Sequence, residues 1–201
     1  MHDAFMNLMR LRMFPSETAG RNVFFVKNAS IPGVPTGGRV NIATTLINGI
    51  NELTINRSES GRDFYFPYVH GVGNVTVGPV NGIAEGTIVV TGGMNGCALE
   101  VTVQNNQFVF HHDSNGRCMG RVRNAGATVC RIEANAYWRG DGAERYKYPL
   151  VQFICVYRHN WWHVLSFGIY TDGGSTVKGG FDPIGGRYRG YFNENIRLMQ
   201  R

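Results

Sequence analysis

The side chains best suited to covalent chemistry are a cysteine and a following pair of histidines, Cys97 with His111 and His112. A cysteine attacks as its thiolate, and a histidine within reach is the usual base that takes the thiol proton. Gly96 directly precedes the cysteine at the end of a glycine-rich loop, so a substrate backbone can approach the thiol closely. Loop amides, at Asn95 and Gly96, could stabilise an oxyanion. This set predicts acyl transfer through a thioester.

A β-hairpin is predicted to bring the cysteine and one histidine together. Alternating apolar residues flank Asn105-Asn106, which suits a two-residue turn. In that register His112 pairs with Leu99 and lies on the same sheet face as Cys97, whereas His111 points to the opposite face. A bulge or a three-residue loop would exchange the two faces. We therefore expect His112 to be the base and keep His111 as the alternative.

Each candidate residue also has an ordinary structural interpretation. Taken alone, Cys97 is more often a small buried residue than a nucleophile. His111-His112 could be an exposed strand end or half of a metal site, for which His159 and His163 are the other histidines with suitable placement. His163 lies in an aromatic strand and is expected to be structural. We predict no metal and no cofactor.

The four cysteines are widely spaced and contain no Cys-x-x-Cys pair, which argues against a zinc ribbon or finger. Two of them, Cys130 and Cys155, fall inside apolar strand patterns and are predicted to be small buried hydrophobic residues. The four are Cys97, Cys118, Cys130 and Cys155.

From residue 64 onward the sequence predicts a mainly β structure. Short segments rich in Val, Thr, Tyr and Phe are separated by Gly and Asn, as is typical of strands and tight turns. A second hairpin is predicted around His159-Asn160. The predicted strands are Phe64–Val69, Asn74–Val77, Gly86–Thr91, Cys97–Val103, Phe108–His112, Arg117–Asn124, Thr128–Tyr137, Leu150–Tyr157 and Trp161–Tyr170.

The two ends of the chain predict a few helices around this β region. Apolar spacing predicts a helix over Asp3–Met13 that ends before Pro15, and a second helix capped by Thr44 or Thr45. Further expectations are a strand over Asn22–Lys27, loops over Ser30–Gly38 and Gly173–Gly190, and a helical turn over Asn193–Gln200. No repeat or linker divides the chain. The predicted fold is α+β, mainly a β-sandwich with a few outer helices, with residues 1–201 as a single catalytic domain.

Composition excludes several classes of protein. Hydrophobic residues make up 43% and charged residues 17% of the 201 residues, which argues against disorder and coiled coils. Uncharged stretches are interrupted by Gly, Pro and Asn, so no membrane span is predicted. The net charge of +6, with 17 Arg and 3 Lys, favours acidic partners. No nucleic-acid motif is present, and nucleic acid is not predicted as a partner.

The segment from Thr91 to Asp113 resembles the Cys/His protein-glutamine deamidases, which include the cytotoxic necrotizing factor toxins, the Burkholderia lethal factor and the chemotaxis receptor deamidase CheD. The toxins carry Leu-Ser-Gly-Cys where this chain has Met94-Asn95-Gly96-Cys97, and the Thr of the lethal factor and CheD falls on Thr91. The necrotizing factors space their Cys and His much as Cys97 and His112 are spaced. The lethal factor's Trp-His-Ile-Asp aligns instead with Phe110–Asp113 and favours His111.

The resemblance implies that Cys97 attacks the carboxamide carbon of a protein glutamine or asparagine. The histidine would take the thiol proton and pass it to departing ammonia, Thr91 would orient the imidazole, and water would hydrolyse the thioester. It also implies a protein substrate in a host or rival cell, such as a small GTPase or a translation factor. The chain would be translocated into that cell, act in its cytosol and work as a monomer.

Two other function classes are consistent with the sequence. One is another Cys/His acyl-transfer enzyme, a protease or a transglutaminase-like enzyme, which shares the thioester step. The other is a non-enzymatic β-sandwich binding module that uses an aromatic stacking surface. The aromatic residues that could form such a surface are Trp138, Trp161, Trp162, Tyr188 and Tyr191.

Overall fold

The Val-, Ile- and Phe-rich segments of the chain form two β-sheets that pack face to face. The structure is a computed structural model that describes residues 2–27, 36–114, 116, 126–137, 149–172, 176–179 and 193–197. Within these residues, one sheet has nine strands and the other has four. The prediction of an α+β, mainly β sandwich is confirmed. That residues 1–201 act as one catalytic domain stays a prediction.

The nine-stranded sheet is mixed and runs in the order β1-β3-β2-β4-β6-β10-β11-β12, with β13 also paired to β11. The four-stranded sheet is antiparallel and runs in the order β5-β8-β7-β9. The strands are β1 (Val23–Val26), β2 (Gly38–Ile47), β3 (Ile50–Arg57), β4 (Asp63–Tyr65), β5 (Val72–Val77), β6 (Ile88–Val90), β7 (Ala98–Gln104), β8 (Gln107–Asp113), β9 (Ala127–Ile132), β10 (Pro149–Arg158), β11 (Trp161–Asp172), β12 (Thr176–Gly179) and β13 (Asn193–Arg197).

The helices of the described residues are α1 (His2–Met13), α2 (Pro15–Ala19) and α3 (Ala134–Tyr137), together with a 3₁₀ turn over Val80–Gly82. The predicted N-terminal helix is confirmed as α1, although Pro15 opens a second helix rather than ending helical structure, as suits a proline at a first helical position. None of the helices in the described ranges combines the length and hydropathy needed to span a bilayer.

The core between the sheets is apolar and aromatic. Leu99 and Phe110 of the smaller sheet face Phe153 and Trp162 of the larger one. The rings of Phe110 and Trp162 meet edge to face, with centroids 4.9 Å apart. Trp162 is therefore a core residue, which corrects its assignment to a candidate stacking surface. Such edge-to-face pairs add specific geometry to the burial of apolar area.

The opposite face of the larger sheet is covered by α1, whose Leu8 and Leu11 pack in a second core cluster. A buried ion pair fixes the end of that helix. Arg12 Nη2 lies 2.6 Å from Asp63 Oδ2, and Arg12 Nη1 donates to the Gly86 carbonyl at 2.7 Å. Asp63 Oδ1 also accepts the Ile88 amide at 3.0 Å, so the buried charges are hydrogen bonded on several sides.

The predicted helix from Thr44 or Thr45 is wrong, because this segment forms the hairpin of β2 and β3. Its turn is Asn48-Gly49, where both residues have positive φ (51° and 81°), as a tight hairpin turn requires. The apolar residues that suggested the helix fall on both sides of this turn. Their spacing fits one helix face and a folded hairpin equally well.

Several other boundaries differ from the predictions. The strand expected over Phe64–Val69 is confined to β4, and the strand expected over Thr128–Tyr137 ends at Ile132, after which α3 forms. The expected loop over Gly173–Gly190 contains β12, and the helical turn expected over Asn193–Gln200 is wrong, since β13 pairs there with β11. Local propensity is overridden in both cases by a neighbouring strand that offers backbone partners.

The remaining predicted strands that fall on described residues, and both predicted hairpins, are confirmed to within a few residues. The turn residues Asn105-Asn106 and His159-Asn160 all have positive φ, between 49° and 62°. The strand predicted over Arg117–Asn124 and most of the loop predicted over Ser30–Gly38 lie outside the described residues. So do Cys118, Trp138, Tyr188 and Tyr191.

Candidate active site

The β7–β8 hairpin has the register predicted from the sequence. His112 pairs with Leu99, and Ala98 pairs with Asp113. Side chains alternate between the two faces of a strand, so Cys97, directly before β7, shares the inner face with Leu99 and His112. The hairpin therefore places the candidate nucleophile and the preferred base on one face, in diagonal positions.

His112 is held from the other sheet by Thr91. Thr91 follows β6 of the larger sheet, and its Oγ1 lies 2.8 Å from His112 Nδ1. Both residues are 0% exposed, so water does not compete for this hydrogen bond. This hydrogen bond fixes the orientation of the imidazole between the two sheets. It engages Nδ1 and does not involve Nε2.

The side chain of Gln152 on β10 holds Thr91 in place through a hydrogen bond to the Thr91 backbone carbonyl. The Gln152 amide nitrogen donates to the carbonyls of Thr91 and Phe153 at 2.8 and 2.9 Å, and its Oε1 accepts the Val26 amide at 3.2 Å. Gln152 is fully buried, and these bonds satisfy an amide that would otherwise be costly to bury. Nothing in the local sequence singles out this residue, because its partners are distant in the chain.

The loop before Cys97 is anchored to β10. Met94 and Val151 exchange two backbone hydrogen bonds of 2.8 Å. Asn95 is exposed after this bridge, and Gly96 has φ of +130°, a conformation that residues with a side chain rarely adopt. The predicted loop residues thus connect the larger sheet to the smaller one and place Cys97 at the edge of the core.

Tyr137 contacts the same loop and was missed by the sequence analysis. Its hydroxyl donates to the Cys97 carbonyl at 2.5 Å and accepts the Gly96 amide at 3.4 Å. The ring meets Phe153 edge to face, with centroids 5.1 Å apart. The tyrosine belongs to α3, in a segment that was expected to continue as a strand.

Burial sets the protonation of the two central groups. It lowers the pKa of His112 to about 4, so the imidazole is neutral near pH 7. It also raises the pKa of the Cys97 thiol; a hydrogen bond from the Asn95 backbone opposes this shift, and the negative charge of Asp113 adds to it. The resting pair is therefore a neutral thiol and a neutral imidazole.

The thiol and the imidazole do not bond to each other in this structure. His112 Nε2 is buried and has no hydrogen-bond partner among the described residues. The imidazole ring packs between Phe66 and Tyr68, with centroid distances of 6.4 and 5.2 Å. Catalytic hydrogen bonds are often formed fully only in the presence of substrate. The site therefore has an unused acceptor or donor, Nε2, on the side chain that Thr91 orients.

His111 lies on the opposite face of the smaller sheet. It is paired with Glu100, and its Nε2 is 3.1 Å from Thr102 Oγ1. Burial lowers its pKa to about 4 as well. Glu100 accepts the hydroxyl of Thr128, so this face carries its own buried polar contacts. The geometry brings Thr91 together with His112 and not with His111.

Two further cysteines and two further histidines of the described residues have structural surroundings. Cys130 and Cys155 are buried, as predicted. His159 lies in the β10–β11 turn, and His163 Nδ1 contacts Ser16 Oγ at 3.4 Å. Among the described residues, no group of three or more His, Cys, Asp or Glu side chains is placed to hold a metal ion.

No protein-family model matches the sequence, and no curated protein matches it. Among solved structures, the C-terminal domain of CNFy from Yersinia pseudotuberculosis is similar, with a TM-score of 0.46 and 10% sequence identity. The match covers 96% of this chain and 98% of that chain. At this level the two chains are distant, and the chemistry of the site follows from its own residues.

Proposed function

We propose that this chain is a protein deamidase that hydrolyses the side-chain carboxamide of glutamine or asparagine through a thioester on Cys97. The observation that carries the proposal is the buried hydrogen bond between Thr91 Oγ1 and His112 Nδ1. It orients an imidazole whose Nε2 has no partner among the described residues, on the hairpin face that also carries Cys97. A nucleophile, a base and an orienting third group form the arrangement that covalent catalysis requires.

In the first half-reaction Nδ1–H of the neutral imidazole donates a hydrogen bond to Thr91 Oγ1 and keeps its proton. Nε2 then takes the proton of the Cys97 thiol. The sulfur then forms a bond to the carboxamide carbon. As the tetrahedral intermediate collapses, the carbon–nitrogen bond breaks, and Nε2 passes its proton to the leaving nitrogen. Ammonia departs and the acyl group remains on sulfur as a thioester.

In the second half-reaction His112 Nε2 takes a proton from water, whose oxygen attacks the thioester carbon. The carbon–sulfur bond breaks, and the proton returns to the sulfur. The sum is carboxamide plus water to carboxylic acid plus ammonia. No metal or redox cofactor is needed for this balance, and Cys97 is regenerated after each turnover.

The negative charge of each tetrahedral intermediate falls on the former carbonyl oxygen. The backbone amides near Cys97 are the donors nearest to that position in the chain. The Gly96 amide donates to the Tyr137 hydroxyl and the Asn95 backbone bonds to the Cys97 thiol, so of the three the Cys97 amide is the donor proposed for the oxyanion. Gly96 has no side chain, and nothing lies within 4 Å of the position that a Cβ would take there, so a substrate can approach this loop closely. Removal of one such donor costs roughly 10²–10³ in rate in other enzymes.

The substrate and place of action form a further part of the proposal. We propose that the substrate is a protein of a host or rival cell, and that the chain acts as a monomer in that cell's cytosol. Cys97 and Cys155 carry free thiols, which suits work in a reducing compartment. A nucleophilic thiol in particular must remain reduced to act.

The test is isotope-resolved peptide mapping of candidate proteins after incubation in heavy-oxygen water with wild type or Cys97→Ser. Cys155→Ala is the matched control, since Cys155 is a buried thiol of β10 that takes no part in the proposed reaction. A deamidase converts one carboxamide to a carboxylate that carries heavy oxygen, with wild type and Cys155→Ala alike. Peptide cleavage would indicate a protease, and capture of an added primary amine would indicate a transglutaminase. Absence of any change that depends on Cys97 would contradict the proposal.

A further inference from the structure

A single phenol bonds to the main chain on both sides of the candidate nucleophile. The Tyr137 hydroxyl accepts the Gly96 N–H and donates to the Cys97 carbonyl. These two groups belong to the peptide units before and after the Gly96–Cys97 peptide. That central peptide carries the N–H of the nucleophile itself. The phenol therefore restrains both neighbours of the group best placed to hold an oxyanion.

The loop needs such a restraint at Gly96. Gly96 has φ of +130° and no side chain to limit its conformations. Upstream, the nearest anchor is the pair of backbone hydrogen bonds of Met94. Downstream, regular pairing starts at Ala98. Between these points the Asn95 backbone bonds to the Cys97 thiol, and the two hydrogen bonds of Tyr137 hold the peptide planes on either side of the Gly96–Cys97 peptide.

Tyr137 is itself well placed to act as an anchor. Its ring meets Phe153 of β10 edge to face, with centroids 5.1 Å apart and an interplanar angle of 86°. It packs against the core between the sheets. The strand β10 also holds the Met94 bridge and Gln152, so the loop, the phenol and Thr91 share one rigid support.

We propose that Tyr137 is a positioning residue, which holds the Gly96–Cys97 backbone so that the thiol faces the carboxamide carbon while the Cys97 amide faces its oxygen. This rests on the proposed deamidase function. The phenol does not touch the reacting atoms in this role; it acts through the backbone of the nucleophile. Its loss is expected to reduce the rate of attack more than substrate binding, because a small misplacement of a reacting group costs up to about a hundredfold in rate.

Tyr137→Phe tests this, because it keeps the ring and its contact with Phe153 and removes both hydrogen bonds. Tyr157→Phe is the matched control: its hydroxyl contacts Asn160 at 3.5 Å in the distant β10–β11 hairpin. Two readouts are compared with wild type. One is steady-state deamidation, separated into kcat and KM. The other is the rate of alkylation of each cysteine by iodoacetamide, assigned by peptide mapping, which needs no substrate.

We expect Tyr137→Phe to lower kcat about tenfold to a hundredfold with little change in KM. Cys97, which is 5% exposed in the wild-type structure, should be alkylated several-fold faster in the variant. The buried Cys155 should react as slowly as in wild type. Tyr157→Phe should behave as wild type in both readouts. Faster alkylation combined with slower catalysis distinguishes a displaced nucleophile from a general loss of reactivity.

Three results would overturn the proposal. Cys97 alkylation and kcat could both equal those of wild type, Cys97 could react faster without any loss of kcat, or Cys155 could become reactive together with Cys97. The last would show a global rather than a local effect. If wild type deamidates no substrate, the proposed function fails. Faster alkylation confined to Cys97 would then still establish that the phenol holds this backbone.

Discussion

Thr91 and His112 connect the two sheets of the protein through one buried hydrogen bond of 2.8 Å. Thr91 follows β6 in the larger sheet, and His112 lies on β8 in the smaller sheet. A neutral imidazole has one donor nitrogen and one acceptor nitrogen, so the partner of Nδ1 determines what Nε2 can do. When Nδ1–H donates to the threonine, Nε2 is a base. The proposed reaction needs this tautomer, in which the Thr91 hydroxyl is the acceptor.

Thr91→Val should separate this hydrogen bond from packing, because valine keeps the size of the side chain and removes the hydroxyl. We expect kcat to fall about tenfold to a hundredfold, which corresponds to the roughly 1–3 kcal/mol that a lost buried hydrogen bond costs. Thr91→Ser restores a hydroxyl and should recover most of the rate. Steady-state deamidation with both variants is the measurement. Equal activity of wild type and Thr91→Val would remove Thr91 from the catalytic arrangement.

The choice between the two histidines is tested by replacing each in turn. His112→Ala should lose about 10²–10⁴ in rate, the usual contribution of a positioned base. His111→Ala should retain activity, because His111 bonds to Thr102 on the opposite face of the sheet. Its cost should fall on stability, since the substitution leaves the buried Thr102 hydroxyl without this partner. The opposite result, with His111 essential and His112 dispensable, would mean that the active register differs by one residue.

Substitution of the cysteines one at a time tests the assignment of the nucleophile. Cys97→Ser should be inactive, because a serine hydroxyl is far less acidic than a thiol and has no stronger base beside it. Cys118→Ser, Cys130→Ala and Cys155→Ala should keep the rate of wild type. Folding of each variant is checked by circular dichroism. Loss of activity in any of these three with an intact fold would contradict the role of Cys97.

Local turn chemistry explains why the hairpin of the site could be predicted. Asn105-Asn106 tolerates positive φ, and the apolar alternation on each side fixes which residues share a face. His112 followed from that register alone. By contrast, Thr91 entered only through the resemblance, because no local pattern connects it with a strand of the other sheet.

Residues that act over long separations could not be found in this way. Gln152 is 61 positions from Thr91, and Tyr137 is 40 positions from Cys97. Both contacts depend on how the two sheets are stacked, which periodicity does not encode. The mistaken helix near Thr44 has a related cause: an apolar spacing that suits a helix also suits two strands joined at Asn48-Gly49.

Gln152→Leu is expected to reduce both stability and activity. It leaves the Val26 amide and the Thr91 carbonyl without their side-chain partner in a fully buried position. Each unsatisfied group costs about 1–3 kcal/mol, so the free energy of unfolding should drop by several kcal/mol. Urea unfolding measures the loss, and assays well below the unfolding midpoint measure the activity that remains.

Gln152→Glu separates the contributions of the two ends of this side chain. The carboxylate can still accept the Val26 amide, but it cannot donate to the Thr91 carbonyl. If Thr91 must be held for His112 to be oriented, Gln152→Glu should lose kcat at low urea like Gln152→Leu. Full activity of a folded Gln152→Glu would show that Thr91 needs no support from β10.

The depressed pKa values of His111 and His112 predict how stability depends on pH. Burial lowers both from 6.5 to about 4 in the folded protein, whereas the unfolded chain keeps ordinary histidines. Between these values the unfolded state binds more protons than the folded state. The free energy of unfolding is therefore fully retained above about pH 6.5 and declines as the pH falls towards about 4.

Urea unfolding across this range should show that decline, and His112→Gln should make it shallower. His70→Gln, at an exposed loop position, is the control. A slope that His112→Gln leaves unchanged would mean that His112 is not kept neutral by its burial, and the neutral base of the proposed mechanism would lose its support.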